Sequence, residues 1–412
     1  MARILYIAMS CGPNCGSEDA IGWNLPLAMS RLGNDVFVLT RADKREEIEA
    51  YLAVHPDERG PKYLYEAQTP IELKMNGPLI SAKVALWCKR VSKRLPDIVS
   101  AHRIEIIHQI TPIEFRAVID ADLDNVAMFL GPIGGAEKAL PTLASYLKTE
   151  RFTESLRLRR NTDAARRLKR RGTLRRFKGV WCANRETRDY LEQNGVDSKH
   201  FEIMTEIGVS DKLLARAVEN ISGEGHSSCG HVHKKLRLAY VGRLVPRKGV
   251  MALLDACSIL HTKKIPFELE IYGDGPQRVE LEQRVSALGL VEVTFHGAIP
   301  HAQIEGAFRS ADALVMPSVR ETGGAVLAEA ATFDLPVIAF DAFGAHVVLQ
   351  GSSSVLVNPD EGVSGLADAI EGIAVAGFPA GKPMVKVAQS LRWSLKASYF
   401  QECYCDMSTT QK

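Results

Sequence analysis

The sequence predicts an α/β chain built as two doubly wound, parallel-sheet domains. Short apolar runs alternate with segments of helical length from end to end, and the alternation runs through two successive series. The length, 412 residues, gives enough chain for two cores. In the first series RILYIAM, DVFVLT, IEIIHQ, VAMFLG, GVWCAN and HFEIMT read as strands. In the second, LRLAYVGR, FELEIYG, EVTFHG, ALVMPS, PVIAF and SVLVN do so, with helices expected between them over 250–264 and 277–288. The stretch 221–235, ISGEGHSSCGHVHKK, is polar and without periodicity, so it reads as a surface connection near the boundary. The domains are placed at 1–205 and 206–384. The remaining piece, 385–412, holds a helical segment to about Met407 that is expected to cross back to the first domain.

Composition narrows the function classes. No uninterrupted apolar run reaches the roughly 20 residues that span a bilayer. The start, MARILYIAMS, lacks the basic region, longer apolar core and cleavage site of a signal peptide, so a cytoplasmic location is expected. Eight scattered cysteines in a chain of this size read as reduced thiols rather than a disulfide framework. The net charge of +2 hides an asymmetry, because 151–178 holds twelve Lys/Arg against two acids and leaves the rest of the chain at −8. This stretch has a thin apolar stripe, Phe152 with Leu156 and Leu174 with Phe177, so it is either a solvated face or a basic helix lying on an anionic membrane. It lacks the interleaved aromatics of a nucleic-acid interface. His226, Cys229, His231 and His233 crowd the connection, but their spacing matches no usual zinc site, and no metal is expected.

The richest motif is VMPSVRETGGAVLAEA, in which Glu321 and Glu329 stand eight residues apart. A buried strand ends at Met316, Gly323 and Gly324 make a turn, and an Ala-rich helix begins at Ala325. Unpaired amides at such a helix start, reinforced by the helix dipole, form an anion site suited to phosphate. Glu321 at the turn and Glu329, about 7 Å further along the axis at about 1.5 Å per residue, then serve as acceptors for hydroxyl groups on either side of that anion. A ligand with a diphosphate in the middle, a nucleotide sugar, fits this order.

Further motifs fit the same ligand. In AYVGRLVPRKG, Gly242 and Arg243 follow a strand and Lys248 precedes a helix, where cations can hold a diphosphate at the carboxyl end of a parallel sheet. The spacing is not that of a Walker loop. IYGDGP, with Gly273 after a strand, lacks the third glycine and following acid of a dinucleotide loop, and is read as a tight turn lining a nucleobase pocket. In the first domain Gly16 and Ser17 could bring backbone close to a ligand, and His108, ending the strand IEIIH at the mouth of the sheet, is a candidate contact for the transferred group.

Taken in order, GRLVPRKG, YGDGP, FHGAIPHAQ and PSVRETGGAVLAEA resemble the GT-B glycosyltransferases, in particular retaining glycosyltransferase family 4. SCGPNCGSEDAIGWN, HQITPIEFR and GPIGGAEKAL look like a branch of that family that builds bacterial polysaccharides and glycolipids. The resemblance implies two Rossmann-like domains facing a central cleft, a UDP- or GDP-sugar donor, and a saccharide or lipid-linked acceptor. By it Arg243 and Lys248 would hold the donor diphosphate, Glu321 would contact the sugar, Glu329 would bind the ribose, and Gly16 would close over the phosphates. It also implies retention of anomeric configuration, with the acceptor proton passing to the leaving phosphate and no cofactor required. The chain departs from the pattern at Ile110, where many members have a histidine, at Thr322-Gly323, where a phenylalanine is common, and at 343–346, Phe-Gly-Ala-His, where many read Gly-Gly followed by a glutamate. A nucleotide-sugar epimerase or hydrolase on this fold, and a non-catalytic partner of another transferase, are the alternatives.

Overall fold

The computed structural model describes residues 2–13, 16–56, 60–75, 79–221 and 235–409. The His/Cys cluster of the connection, at 226–233, lies outside the described residues. The chain forms two compact units, one of 1–136, 157–208 and 392–412, the other of 137–156 and 209–391.

The first unit is a seven-stranded sheet in the order β3-β2-β1-β4-β5-β6-β7. Its strands are β1 (Arg3–Ala8), β2 (Asp35–Arg41), β3 (Lys62–Glu66), β4 (Ile106–Thr111), β5 (Ala127–Ile133), β6 (Gly179–Cys182) and β7 (Phe201–Ile203). All neighbours run parallel. Side chains alternate between two cores, as a period of two requires. Leu5, Ile7, Phe37 and Leu39 pack with the inner stripe of a long helix, Trp87, Val91 and Leu95. Ile4, Tyr6, Val36 and Val38 pack on the opposite face with Trp23, Met29, Phe400 and Tyr404. The helices are α1 (Ser17–Arg31), α2 (Arg45–Val54), α3 (Pro70–Leu73), α4 (Ile80–His102), α5 (Arg151–Arg171), which begins in the second unit, and α6 (Arg185–Gln193).

The second unit is a six-stranded parallel sheet in the order β10-β9-β8-β11-β12-β13. The strands are β8 (Leu236–Val241), β9 (Phe267–Tyr272), β10 (Val293–Gly297), β11 (Ala313–Met316), β12 (Val337–Phe340) and β13 (Val355–Val357). Between and around them lie α7 (Asp211–Ile221), α8 (Val250–Thr262), α9 (Arg278–Leu288), α10 (His301–Ser310), α11 (Ala325–Thr332), α12 (Phe343–Leu349), α13 (Gly362–Ala376) and α14 (Met384–Ser390). The last helix, α15 (Trp393–Thr409), returns to the first unit and packs along α1. Each sheet reverses its winding once, between β1 and β4 and between β8 and β11, and such switch points are where open parallel sheets bind ligands.

Three expectations differ from the observed chain path. The units divide after Gly208 and Leu391 rather than at 205/206 and 384/385. Residues 137–156, expected in the first domain, belong to the second, because Leu140, Leu143 and Leu147 are buried in its core and the Tyr146 hydroxyl donates to Asp255 at 2.6 Å. The final helical segment is two helices broken at 391–392.

Candidate functional site

At the switch point of the second unit two loops leave adjacent strands and are bonded to each other. The loop after β8 runs through Gly242 and Arg243 into the short turn Pro246–Lys248. The loop after β11 runs from Pro317 to Gly324. The Arg247 carbonyl accepts from the amides of Val319 at 2.9 Å and Arg320 at 3.2 Å, which locks the two loops in register. Gly249 makes the close approach work: its φ is +74°, and a Cβ there would stand 1.9 Å from the Pro317 carbonyl oxygen.

This register brings Lys248 and Glu321 together as an ion pair, with the Arg247 guanidinium 3.7 Å from the other carboxylate oxygen. The Ser318 hydroxyl, at 3.5 Å, and the Thr322 amide, at 3.3 Å, also face the carboxylate. Burial pushes the Glu321 carboxyl up, but Lys248, Arg247 and the Thr322 amide together outweigh it and hold the group below the usual carboxylate range. At neutral pH Glu321 is therefore an ionised acceptor of hydrogen bonds. Burial, with the Glu321 charge adding to it, drives the neighbouring Tyr240 phenol well above its usual range, and the Tyr240 hydroxyl donates to the Arg243 carbonyl at 3.0 Å.

Gly324, with φ +80°, caps α11, whose first-turn amides at Ala325 and Val326 have no acceptor within the helix. Most of α11 is buried, and Ala325, Val326 and Glu329 are its half-buried positions ahead of the last turn. Spacings of three and four residues put these on one stripe, so the half-buried face runs from the helix start to Glu329. The start of α12 seals the turn from the other side: a Cβ on Gly344 would lie 2.1 Å from the Gly323 carbonyl oxygen. Two residues on, His346 Nδ1 pairs with Asp341 at 2.6 Å.

The remaining expected residues divide. Gly242 and Gly273 meet, since a Cβ on Gly273 would be 1.8 Å from the Gly242 carbonyl oxygen and the Gly242 amide donates to the Tyr272 carbonyl. Gly273 thus has a packing reason for being glycine. Arg243 is exposed at its loop tip, while Arg247, which sequence reasoning passed over, reaches Glu321. The one available signal was its place in the same Pro-Arg-Lys turn as Lys248.

In the first unit, Gly16 is exposed at the start of α1 and Ser17 opens that helix. Glu18, also passed over, has its carboxyl pushed up to about 7 by burial and the neighbouring Glu114, against hydrogen bonds from the Ile113 amide and Ser10. His108 corrects an expectation. It lies inside β4 rather than at the mouth of the sheet, fully buried, with Nδ1 2.6 Å from the Tyr404 hydroxyl and Nε2 2.8 Å from the Gly131 carbonyl oxygen. Burial lowers its pKa to about 3, despite the bond to the Gly131 carbonyl, so it is a neutral core histidine among Tyr6, Trp181 and Phe400.

Two such parallel-sheet units define the GT-B fold, and solved structures of that kind match along the whole chain. Sucrose-phosphate synthase from Thermosynechococcus elongatus matches with a TM-score of 0.64 and 20% identity over 99% of both chains. Anabaena HepE, solved in complex with UDP and glucose, matches with a TM-score of 0.58 and 16% identity over 98% of this chain and 100% of that one. Residues 235–374, which contain the two loops, α11 and His346, match the family Glycosyl transferases group 1, so the chain carries a group 1 glycosyltransferase domain. Curated relatives include the alpha-D-kanosaminyltransferase of Streptomyces kanamyceticus, 32% identical over 32% of this chain and 34% of that protein. The D-inositol 3-phosphate glycosyltransferase of Arthrobacter sp. (strain FB24) is 30% identical over 41% of this chain and 42% of its own length. The matched region thus spans about a third to two-fifths of these relatives.

Proposed function

We propose that the protein is a retaining glycosyltransferase that moves a sugar from a UDP- or GDP-sugar to a saccharide or lipid-linked acceptor in the synthesis of bacterial polysaccharides or glycolipids. The observation that carries this reading is the Lys248–Glu321 pair beside the open first turn of α11, at the switch point of a group 1 glycosyltransferase domain. The domain match and the resemblance of the motifs to family 4 supply the reaction class; the geometry supports the division of labour.

In this reading the α11 amides and Lys248 hold the donor diphosphate, and Arg243 swings onto it from its exposed loop. Glu329 binds the ribose at the far end of the half-buried stripe, and Glu321 accepts hydrogen bonds from the sugar. Arg247 keeps the Glu321 carboxylate compensated when Lys248 turns to phosphate. The leaving nucleoside diphosphate gains its stabilisation from cations and fixed amides, which act strongest where negative charge develops. The acceptor hydroxyl passes its proton to that phosphate, so no side-chain base and no cofactor is assigned.

The reading is tested by offering UDP-, GDP-, ADP- and TDP-sugars with glycolipid and saccharide acceptors. Transfer dependent on acceptor supports it; free sugar or an epimer formed equally fast without acceptor identifies a hydrolase or epimerase instead. We further propose that α5 brings the chain to an anionic membrane surface. Arg159, Arg160, Arg166, Arg167, Arg170 and Arg171 are exposed and, at 3.6 residues per turn, share one face of that helix. Replacing Arg166, Arg167, Arg170 and Arg171 by Ser is expected to weaken salt-sensitive vesicle binding; unchanged binding contradicts this contact.

A further inference from the structure

Five large apolar side chains of the first unit are left in solvent close together in sequence. Ile71 and Leu73 on α3, and Leu79, Ile80 and Leu86 at the start of α4, are between 42% and 70% exposed. Single exposed apolar residues are ordinary, but a group is not. They are not spare core: the stripe of α4 that meets the sheet is Trp87, Cys88, Val91, Leu95 and Ile98, all buried.

The charges around the group point one way. Residues 70–94 hold six Lys/Arg and a single acid, Glu72. That acid is buried, joined to Thr69 in a capping box and paired with Arg90 at 2.6 Å. Arg90 also meets Glu66 at 3.0 Å, so it pins α3 and the end of β3 to α4. Arg94 is spent on Glu66 as well. Lys74, Lys89 and Lys93 remain exposed beside the apolar group, and Lys83 is half-buried within it. Lysines flanking an apolar surface can lay their stems along it and lift their ammonium groups to a phosphate layer.

The layer as a whole shares this character. Side chains of α4 and α5 pack into the same core on one side of the sheet. Their C-terminal halves meet at Asp120, whose amide donates to Ser92 of α4 and whose carboxylate binds Arg171 of α5 and Arg176 beyond it.

We propose that Ile71, Leu73, Leu79, Ile80 and Leu86 form a hydrophobic anchor by which this layer of the first unit inserts into an anionic lipid surface, with Lys74, Lys89 and Lys93 on the headgroups. The anchor deepens the membrane contact assigned above to α5 by giving it an inserted part, and it rests on that reading only for its biological purpose. A second copy of the chain is disfavoured as occupant, because two such faces would bring like charges together without local acids to offset them.

The test is co-sedimentation of the full-length protein with vesicles of phosphatidylcholine, with and without phosphatidylglycerol, at low and high salt. Wild type is expected to bind the phosphatidylglycerol vesicles and to keep a salt-resistant fraction. The triple substitution Leu79→Ser, Ile80→Ser, Leu86→Ser removes exposed groups, so it is expected to leave thermal unfolding unchanged and to lower the vesicle partition coefficient by roughly 10-fold or more at both salt levels. The α5 arginine-to-serine set, by contrast, is expected to lower binding only at low salt. Wild-type partitioning by the triple variant overturns the anchor while leaving the α5 contact standing. Absence of binding by wild type overturns both. A concentration-dependent dimer that the triple variant abolishes assigns the face to a second copy and overturns the lipid assignment.

Discussion

Lys248 and Glu321 are 73 positions apart, and their meeting depends on the hydrogen bonds from two β11-loop amides to the Arg247 carbonyl. Both side chains are mostly buried, so removing Lys248 leaves Glu321 with only the more distant Arg247, and removing Glu321 leaves Lys248 beside Arg247 without its carboxylate. Lys248→Met is expected to cost about 3 kcal/mol of stability, and the double variant Lys248→Met, Glu321→Gln to recover part of that, as urea unfolding of the full cycle will show. Each single change is expected to lower kcat about 100- to 1,000-fold, the scale of losing one contact to a developing anion. His108 makes the opposite prediction. Its imidazole titrates near 6.5 when unfolded and near 3 when folded, so between these values the unfolded chain holds the extra proton. Its contribution is complete above about pH 6.5 and is lost as pH falls, by about 1.4 kcal/mol per unit. His108→Gln is expected to flatten the acid side of the stability curve and to leave transfer unchanged; a selective loss of kcat would restore the histidine to the site. The placement of Lys248, Glu321 and the glycine turn was legible in sequence because each sits where a strand gives way to a helix. The position of Arg247 was not, since nothing local tells that the cation beside Lys248 also turns toward a glutamate 74 residues on. For His108 the strand was read as ending at that residue, whereas β4 runs three residues further to Thr111, and burial by α15 cannot be seen from β4 alone.

At the scale of elements, the site is a product of how closely two loops pack. Gly249→Ala places a Cβ against the Pro317 carbonyl at a positive φ, so it is expected to cost at least about 2 kcal/mol and to lower activity by moving Lys248. Equilibrium unfolding with an unchanged m-value would attribute the loss to the native state. The strands of both sheets were readable because those buried on both faces appear as continuous apolar runs. β3 was missed for the same reason in reverse: KYLYE lies at the sheet edge and carries half-buried aromatics, Tyr63 stacking on Trp23 at 5.5 Å, rather than an apolar run. Residues 137–156 have a plausible helical stripe of leucines, yet which of two cores the stripe joins is a tertiary choice that periodicity does not encode. The break at 391–392 is likewise set by packing, where Leu391 ends α14 against the second unit and Trp393 enters the core beside Phe400.

For the whole molecule, the proposed donor site lies within the second unit, inside the residues that match the group 1 family. A nucleoside diphosphate that binds the folded site stabilises it by linkage, about 2.7 kcal/mol at a ligand concentration 100 times Kd. UDP or GDP is therefore expected to raise the Tm of wild type and to do so far less in the Lys248→Met variant, as a thermal-shift titration will show. The measurement that bears most directly on the central claim is sugar transfer across the panel of UDP-, GDP-, ADP- and TDP-sugars, followed by proton NMR of the product and run with wild type, Lys248→Met and Glu321→Gln. The account predicts transfer from one donor to an acceptor hydroxyl with the anomeric configuration kept, and loss of that transfer in both folded variants. Wild-type rates in both variants, or an inverted product, would contradict it.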